Sequence, residues 1–144
     1  MTIEEHLWLF VQIKGIPADQ RHQVVEDTII KYSLTDHRRK IAKTLSGGNM
    51  RKLSVAIALL GRPSVILLDE PSSGMDPEAR RFMWSAVQKT QVHDKHAAVV
   101  LTTHSMEEAE ALCSKMAIMG RGGFFHCFGS SQHIKNKFGT GFEI

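Results

Sequence analysis

Cysteine is scarce: only Cys113 and Cys127 occur, at no metal-ligand spacing. That suits a reducing compartment and argues against a disulfide framework. Aromatic residues make up 7% of the chain and are spread along it, and the formal net charge of +3 is a weak excess. A nucleic-acid partner wants a continuous basic face with aromatics for stacking, so none is expected. The basic clusters, HRRK from His37 to Lys40, Arg80 with Arg81, and KNK near the C-terminus, read as solvated faces. Long apolar runs are missing too. The longest, VAIALL from Val55 to Leu60, falls far short of the roughly 18 residues that cross a bilayer. The opening MTIEEHLWLFVQ has two glutamates where a signal peptide carries basic residues, and no small-residue cleavage site follows. What is present is ordinary for a globular chain: 144 residues, 42% hydrophobic and 23% charged. Such a domain buries roughly 70% of the surface its unfolded chain exposes, so one real core is expected and disorder is not.

Hydrophobic periodicity divides the chain. Thr2-Ile-Glu-Glu5 has capping-box spacing, and Leu7, Phe10, Val11 and Ile13 share one helical face up to Gly15. A second helical pattern follows Pro17, through Val24, Val25, Ile29 and Ile30, with Asp19 available as a cap. Ser46-Gly-Gly opens a third, whose apolar positions Leu53, Ile57, Leu59 and Leu60 end at Gly61-Arg62-Pro63. The rhythm then changes. Val65 to Leu68 is a short apolar run between turn residues, as in a strand buried on both faces. Asp76-Pro77-Glu78 starts a helix expected to reach about Thr90. Ala97 to Thr102 is a second β-branched run, and Ser105-Met-Glu-Glu108 a second capping box. Strand, helix, strand, helix is the pattern of a parallel α/β sheet. Last come two strands, MAIMG and RGGFFHCFG, around a turn at Gly120 to Gly123, then a short helix from about Ser130 to Phe138.

Chemistry concentrates at the first strand's end. Ligands of open α/β sheets bind beyond the carboxyl ends of strands, which is where Asp69 and Glu70 stand. Adjacent strand residues point to opposite faces, so the two acids are expected to do different jobs. One can hold a metal while the other orients or deprotonates water. Two acids ending a strand at the surface would be the plain alternative. Ser46-Gly47-Gly48 places free N–H groups and a helix dipole where an anion can approach. Asp76 is a helix cap. His104 follows two threonines at a strand end, within reach of the acids if the strands are neighbours; the other seven histidines form no metal spacing.

LSGGN (Leu45–Asn49), VILLDEP (Val65–Pro71), SSGMD (Ser72–Asp76) and LTTH ending at His104 resemble, in order and spacing, the ATP-binding-cassette (ABC) superfamily. The four correspond to its signature motif, Walker B strand with catalytic glutamate, D-loop and switch histidine. SGGN in place of SGGQ, the run MRKLSVAIALLG, GMDPEARRFMW, THSMEEAEALCSKMAIMGRG and SSQHIKNKFGTGFEI are similar to the A subfamily of eukaryotic ABC transporters, known for moving lipids. The resemblance implies a partial P-loop NTPase fold of α/β class. Residues 1–62 would form a helical subdomain with the signature motif, and 63–144 a mostly parallel sheet with flanking helices that carries Walker B, D-loop and switch histidine. It implies ATP and Mg2+ as ligands. Asp69 would hold Mg2+ through water, Glu70 would act as general base, and His104 would steady the γ-phosphate. Ser46, Gly47, Gly48 and Asn49 would meet ATP held by an opposite domain, with Asp76 in the loop through which the domains sense each other. The implied partners are a second nucleotide-binding domain and transmembrane domains, placing the chain at the cytoplasmic face of a membrane.

No stretch reads GxxxxGK[ST], the loop that cradles phosphates. In the family that loop, the adenine-stacking aromatic and the glutamine loop precede the helical subdomain, so the chain is expected to be the C-terminal portion of a domain, inactive alone and exposing apolar sheet edges. Two other readings stand beside a transport ATPase. One is a non-catalytic module that presents its signature helix to a partner; the other is a soluble ABC ATPase, disfavoured by the modest charge and the MEEAEALC wording.

Overall fold

The computed structural model describes residues 1–93 and 97–138. His96 and the end of the SSQHIKNKFGTGFEI stretch lie outside them. The chain forms two compact units, Met1–Thr103 and His104–Ile144.

In the first unit, helix α1 (Ile3–Ile13) starts with the full capping box: Glu5 N–H donates to the Thr2 hydroxyl at 3.2 Å and Thr2 N–H to the Glu5 carboxylate at 2.7 Å. Its Ile3, Leu7 and Val11 are buried and face α2 (Ala18–Lys31), which contributes Val25 and Ile29. Asp19 is not the cap of α2. Pro17 occupies that position without a side-chain bond, and Asp19 sits in the first turn, where its charge favours the dipole. Helix α3 (Gly47–Leu59) packs against α1 and the following strand. Its C-terminal carbonyls are met by Lys14, whose ammonium donates to Ala58 O at 3.0 Å and Leu60 O at 2.9 Å. Burial pushes that ammonium's pKa down.

Strand β1 (Val65–Asp69) pairs in parallel with β2 (Ala98–Thr102), joined through α4 (Pro77–His93), which runs one turn past the expected end at Thr90. The expectation that β1 is buried on both faces is corrected. Ile66 and Leu68 are buried, whereas Leu67 is 74% exposed beside an exposed Val100. Alternation of side chains turns Val65 and Leu67 to a face that no layer of the described residues covers.

In the second unit, Ser105 caps α5 (Met106–Leu112) by accepting from Glu108 N–H at 3.3 Å. Strands β3 (Met116–Met119) and β4 (Phe125–Gly129) form an antiparallel hairpin. Its turn uses the left-handed backbone at Gly122 and Gly123 that glycine allows. Helix α6 (Ser131–Phe138) packs on β4, and Lys135 pairs with Glu110 of α5 at 2.7 Å.

Arg38 ties α1 to α2, donating to Glu4 at 2.6 Å and forming a two-pronged bond with Glu26. The guanidinium's hydrogen bond holds the Glu4 carboxyl below its ordinary value, against a smaller opposing effect of burial. A carboxyl lowered on folding adds stability above its unfolded pKa and loses it as pH falls through the folded one. Urea midpoints measured from pH 6 downward are therefore expected to decline below the ordinary glutamate range. In Arg38→Met the midpoint should be lower at pH 6 and its acid decline shallower; parallel curves for the two proteins would contradict the linkage.

Candidate functional site

The β1–β2 ladder builds the site. Its register pairs Val65 with Ala98 and ends with Asp69 beside Thr102, so both strands deliver a polar residue to the same carboxyl-end edge after a common apolar run. The Thr102 hydroxyl donates to Asp69 Oδ1 at 2.5 Å. Glu70 N–H donates to the Thr102 carbonyl at 3.1 Å and to its hydroxyl at 3.2 Å.

Glu70 is not a strand residue. β1 ends at Asp69, and Glu70 has φ +46°, a left-handed conformation uncommon outside glycine. Such backbone persists only where its surroundings hold it, and it concentrates at functional sites. A turn follows at once: Ser73 N–H donates to Glu70 O at 3.2 Å, Met75 N–H to Ser72 O at 3.2 Å, and Gly74 takes φ +70°. The two acids thus differ in backbone, Asp69 ending the strand and Glu70 opening the turn in left-handed conformation, where the sequence alone points to the pleat. Beside them, between α3 and the end of β1, lies a hollow of about 160 Å³ lined by Arg51, Ser54, Ala58, Leu67, Asp69 and Pro71 among others. Arg51 reaches across to the Asp69 carbonyl at 3.5 Å, a long contact.

Ser46 and Asn49 stand at the start of α3, where the Ser46 hydroxyl accepts from Asn49 N–H at 3.4 Å. No acid lies in the first turn, so the positive end of this 13-residue helix is not offset by one. A Cβ added at Gly47 or Gly48 would meet nothing within 4 Å. Packing among the described residues therefore does not require their smallness.

Asp76 caps α4, its Oδ1 accepting from Glu78 N–H at 3.1 Å and Ala79 N–H at 3.0 Å. The Ala79 bond foremost, with that of Glu78, holds its carboxyl below the ordinary aspartate value. His104 is exposed and opens the second unit, two residues after β2 ends. The structure thus joins Asp69 and Glu70 through Thr102 and sets the signature residues and Asp76 at the starts of two helices. Thr102 and Arg51 were absent from the residues picked out by sequence. Thr102 was legible only as the polar end of AVVLT, matching the Asp69 end of VILLD; the in-register pairing gives that likeness its meaning.

Parallel strands joined through a helix and flanked by helices make this an α/β fold of P-loop NTPase type, that of an ATP-binding-cassette domain. The family model described as ABC transporter matches residues 1–73, and the chain belongs to that family. It is 50% identical over its whole length to the mouse phospholipid-transporting ATPase ABCA3, and 49% to the human retinal-specific phospholipid-transporting ATPase ABCA4. Human ATP-binding cassette sub-family A member 13 is 50% identical over the same span. The chain covers 8%, 6% and 3% of these three relatives. A solved structure titled as the ATP binding subunit of an ABC transporter superposes with a TM-score of 0.82 at 25% identity, over 96% of this chain and 57% of that one.

Proposed function

We propose that the chain is the hydrolytic and signature-bearing portion of an ATP-binding domain that couples ATP hydrolysis to movement of lipid across a membrane. The observation that carries this reading is the β1–β2 edge, where Asp69, Glu70 and Thr102 are bonded into one unit beside a turn. Residues 1–62 serve as the helical part that presents the signature, and 63–144 as the catalytic-core part.

The donor set fits Mg2+ bound through its waters. Asp69 offers an exposed carboxylate at the strand end, and among the described residues no group of three or more His, Cys, Asp or Glu could hold a metal unaided. Mg2+ keeps several waters and relies on one or two carboxylates plus substrate phosphates, which matches a single aspartate. When bound, the ion would neutralise charge on the β- and γ-phosphates. Glu70, set off from Asp69 by its left-handed backbone, takes the role of orienting or deprotonating the attacking water. His104 steadies the γ-phosphate. The start of α3, with Ser46, Gly47, Gly48 and Asn49, closes on ATP held by a second nucleotide-binding domain. Asp76 holds the loop between the two. Transmembrane domains are the other partners, and the chain works at the cytoplasmic face; among the described residues no helix is long and apolar enough to cross a membrane.

The test joins the chain to the N-terminal half of a relative's ATP-binding domain that carries GxxxxGK[ST]. Mg2+-dependent ATP hydrolysis is expected from the fusion, and its absence in a folded fusion would count against the hydrolytic role. One observation favours a second reading. The start of α3 carries no acid in its first turn, so the chain can act as a non-catalytic module that presents its signature helix. Calorimetric titration of the chain alone with Mg-ATP separates the two, because micromolar binding would exclude a role purely in trans.

A further inference from the structure

We propose that Thr102 is a positioning residue for the hydrolytic edge: its hydroxyl fixes the Asp69 carboxylate and the Glu70 turn relative to each other. The inference rests on the reading of this edge as the hydrolytic site. A threonine hydroxyl has one proton to give and lone pairs to receive. Both are used here in one direction, from Glu70 N–H to Thr102 Oγ1 and from Thr102 Oγ1 to Asp69 Oδ1. The second bond runs from a hydroxyl to a carboxylate oxygen, a pairing stronger than one between neutral groups when the carboxylate is ionised. Donation to a carboxylate polarises the hydroxyl and makes it a better acceptor for the Glu70 amide, so the two bonds support each other.

The alternative is that Thr102 merely ends a strand. Two features speak against it. Thr102 is exposed, so water could satisfy its hydroxyl, yet the hydroxyl is turned along the sheet edge to bridge the two acidic residues. And Glu70 occupies left-handed backbone that needs to be held. The carbonyl of residue 102 takes part of that load whatever its side chain. Only the hydroxyl reaches Asp69.

Thr102→Val keeps the shape and the β-branching that suit a strand, so the ladder should survive. Thr102→Ser keeps the hydroxyl. In the 144-residue chain, three-bond Hα–Hβ couplings report the Asp69 χ1 distribution. One rotamer is expected in the parent and in Thr102→Ser, and averaging over rotamers in Thr102→Val and Thr102→Ala. A single unchanged rotamer in Thr102→Val, or equal averaging in Thr102→Ser, would overturn the proposal. The second readout uses the fusion described above. There Thr102→Val should lower kcat about tenfold, the effect of losing roughly one charge-assisted hydrogen bond, with KM for ATP unchanged. The Mg2+ concentration for half-maximal rate should rise, and Thr102→Ser should restore both values. A change in KM alone, or equal losses in the two variants, would refute positioning. An inactive parent fusion would count against the hydrolytic reading alone, and the Asp69 couplings would still decide the role of Thr102.

Discussion

Replacing Glu70 by Gln in the fused domain is expected to reduce ATP turnover by about 100-fold or more while leaving nucleotide affinity within about twofold, because a general base contributes roughly 10²–10⁴ to rate and little to ground-state binding. The substitution is nearly isosteric, and the features that shape residue 70 belong to its backbone. The N–H bonds to Thr102 and the carbonyl that receives Ser73 persist with glutamine. The turn should therefore stand. Any loss of rate then reports the missing carboxylate rather than a rearranged strand end. Asp69→Asn sharpens the comparison. If Asp69 acts through Mg2+, its variant should raise the Mg2+ requirement, whereas Glu70→Gln should not. Single-turnover hydrolysis with nucleotide binding measured separately checks both, and an unchanged rate in Glu70→Gln would remove Glu70 from the mechanism.

Gly48→Asp should separate stability from activity in opposite directions. Within the chain the change is favourable. Among the described residues the added Cβ meets nothing within 4 Å, and Gly48 lies in the first turn of α3, where no acid now stands. A carboxylate near the helix start gains about 0.3–1 kcal/mol from the dipole, and replacing glycine in a helix gains a similar amount. The thermal midpoint should hold or rise. Toward a second domain's ATP the same carboxylate repels the γ-phosphate: two like charges about 4 Å apart near a surface interact by roughly 4 kcal/mol, enough for a loss of about 100-fold or more in paired-domain hydrolysis. Thermal unfolding and ATPase assays on the same preparation give the result. A variant both stable and fully active would show that this helix start does not meet a phosphate.

Both expectations depend on features with unequal visibility in the sequence. The capping box at Thr2, the serine cap at Ser105 and the cap at Asp76 were legible because a side chain three or fewer residues away makes each bond. The helix starting at Gly47 was legible for the same reason. The cap of α2 was misread: Asp19 has the right chemistry, but Pro17 sits where the backbone turns into the helix, and a residue type alone does not fix which position that is. The face of β1 carrying Leu67 was misread for another reason. An apolar run states what a strand can bury, and only the neighbouring layers decide which of its faces are buried.

The sequence by itself determined the helices and, α2 excepted, the caps it marked, the order of strands and helices, and the family to which the chain belongs. These follow from periodicity, from bonds between near neighbours, and from motif wording that survives in order along the chain. Tertiary structure alone decided that Asp69 lies against Thr102, that Glu70 leaves the strand in left-handed backbone, and that Gly47 and Gly48 face open space. Thr102 is 33 residues from Asp69. Contacts across that distance exist only after two strands have paired in register, and no local pattern records which rung they share.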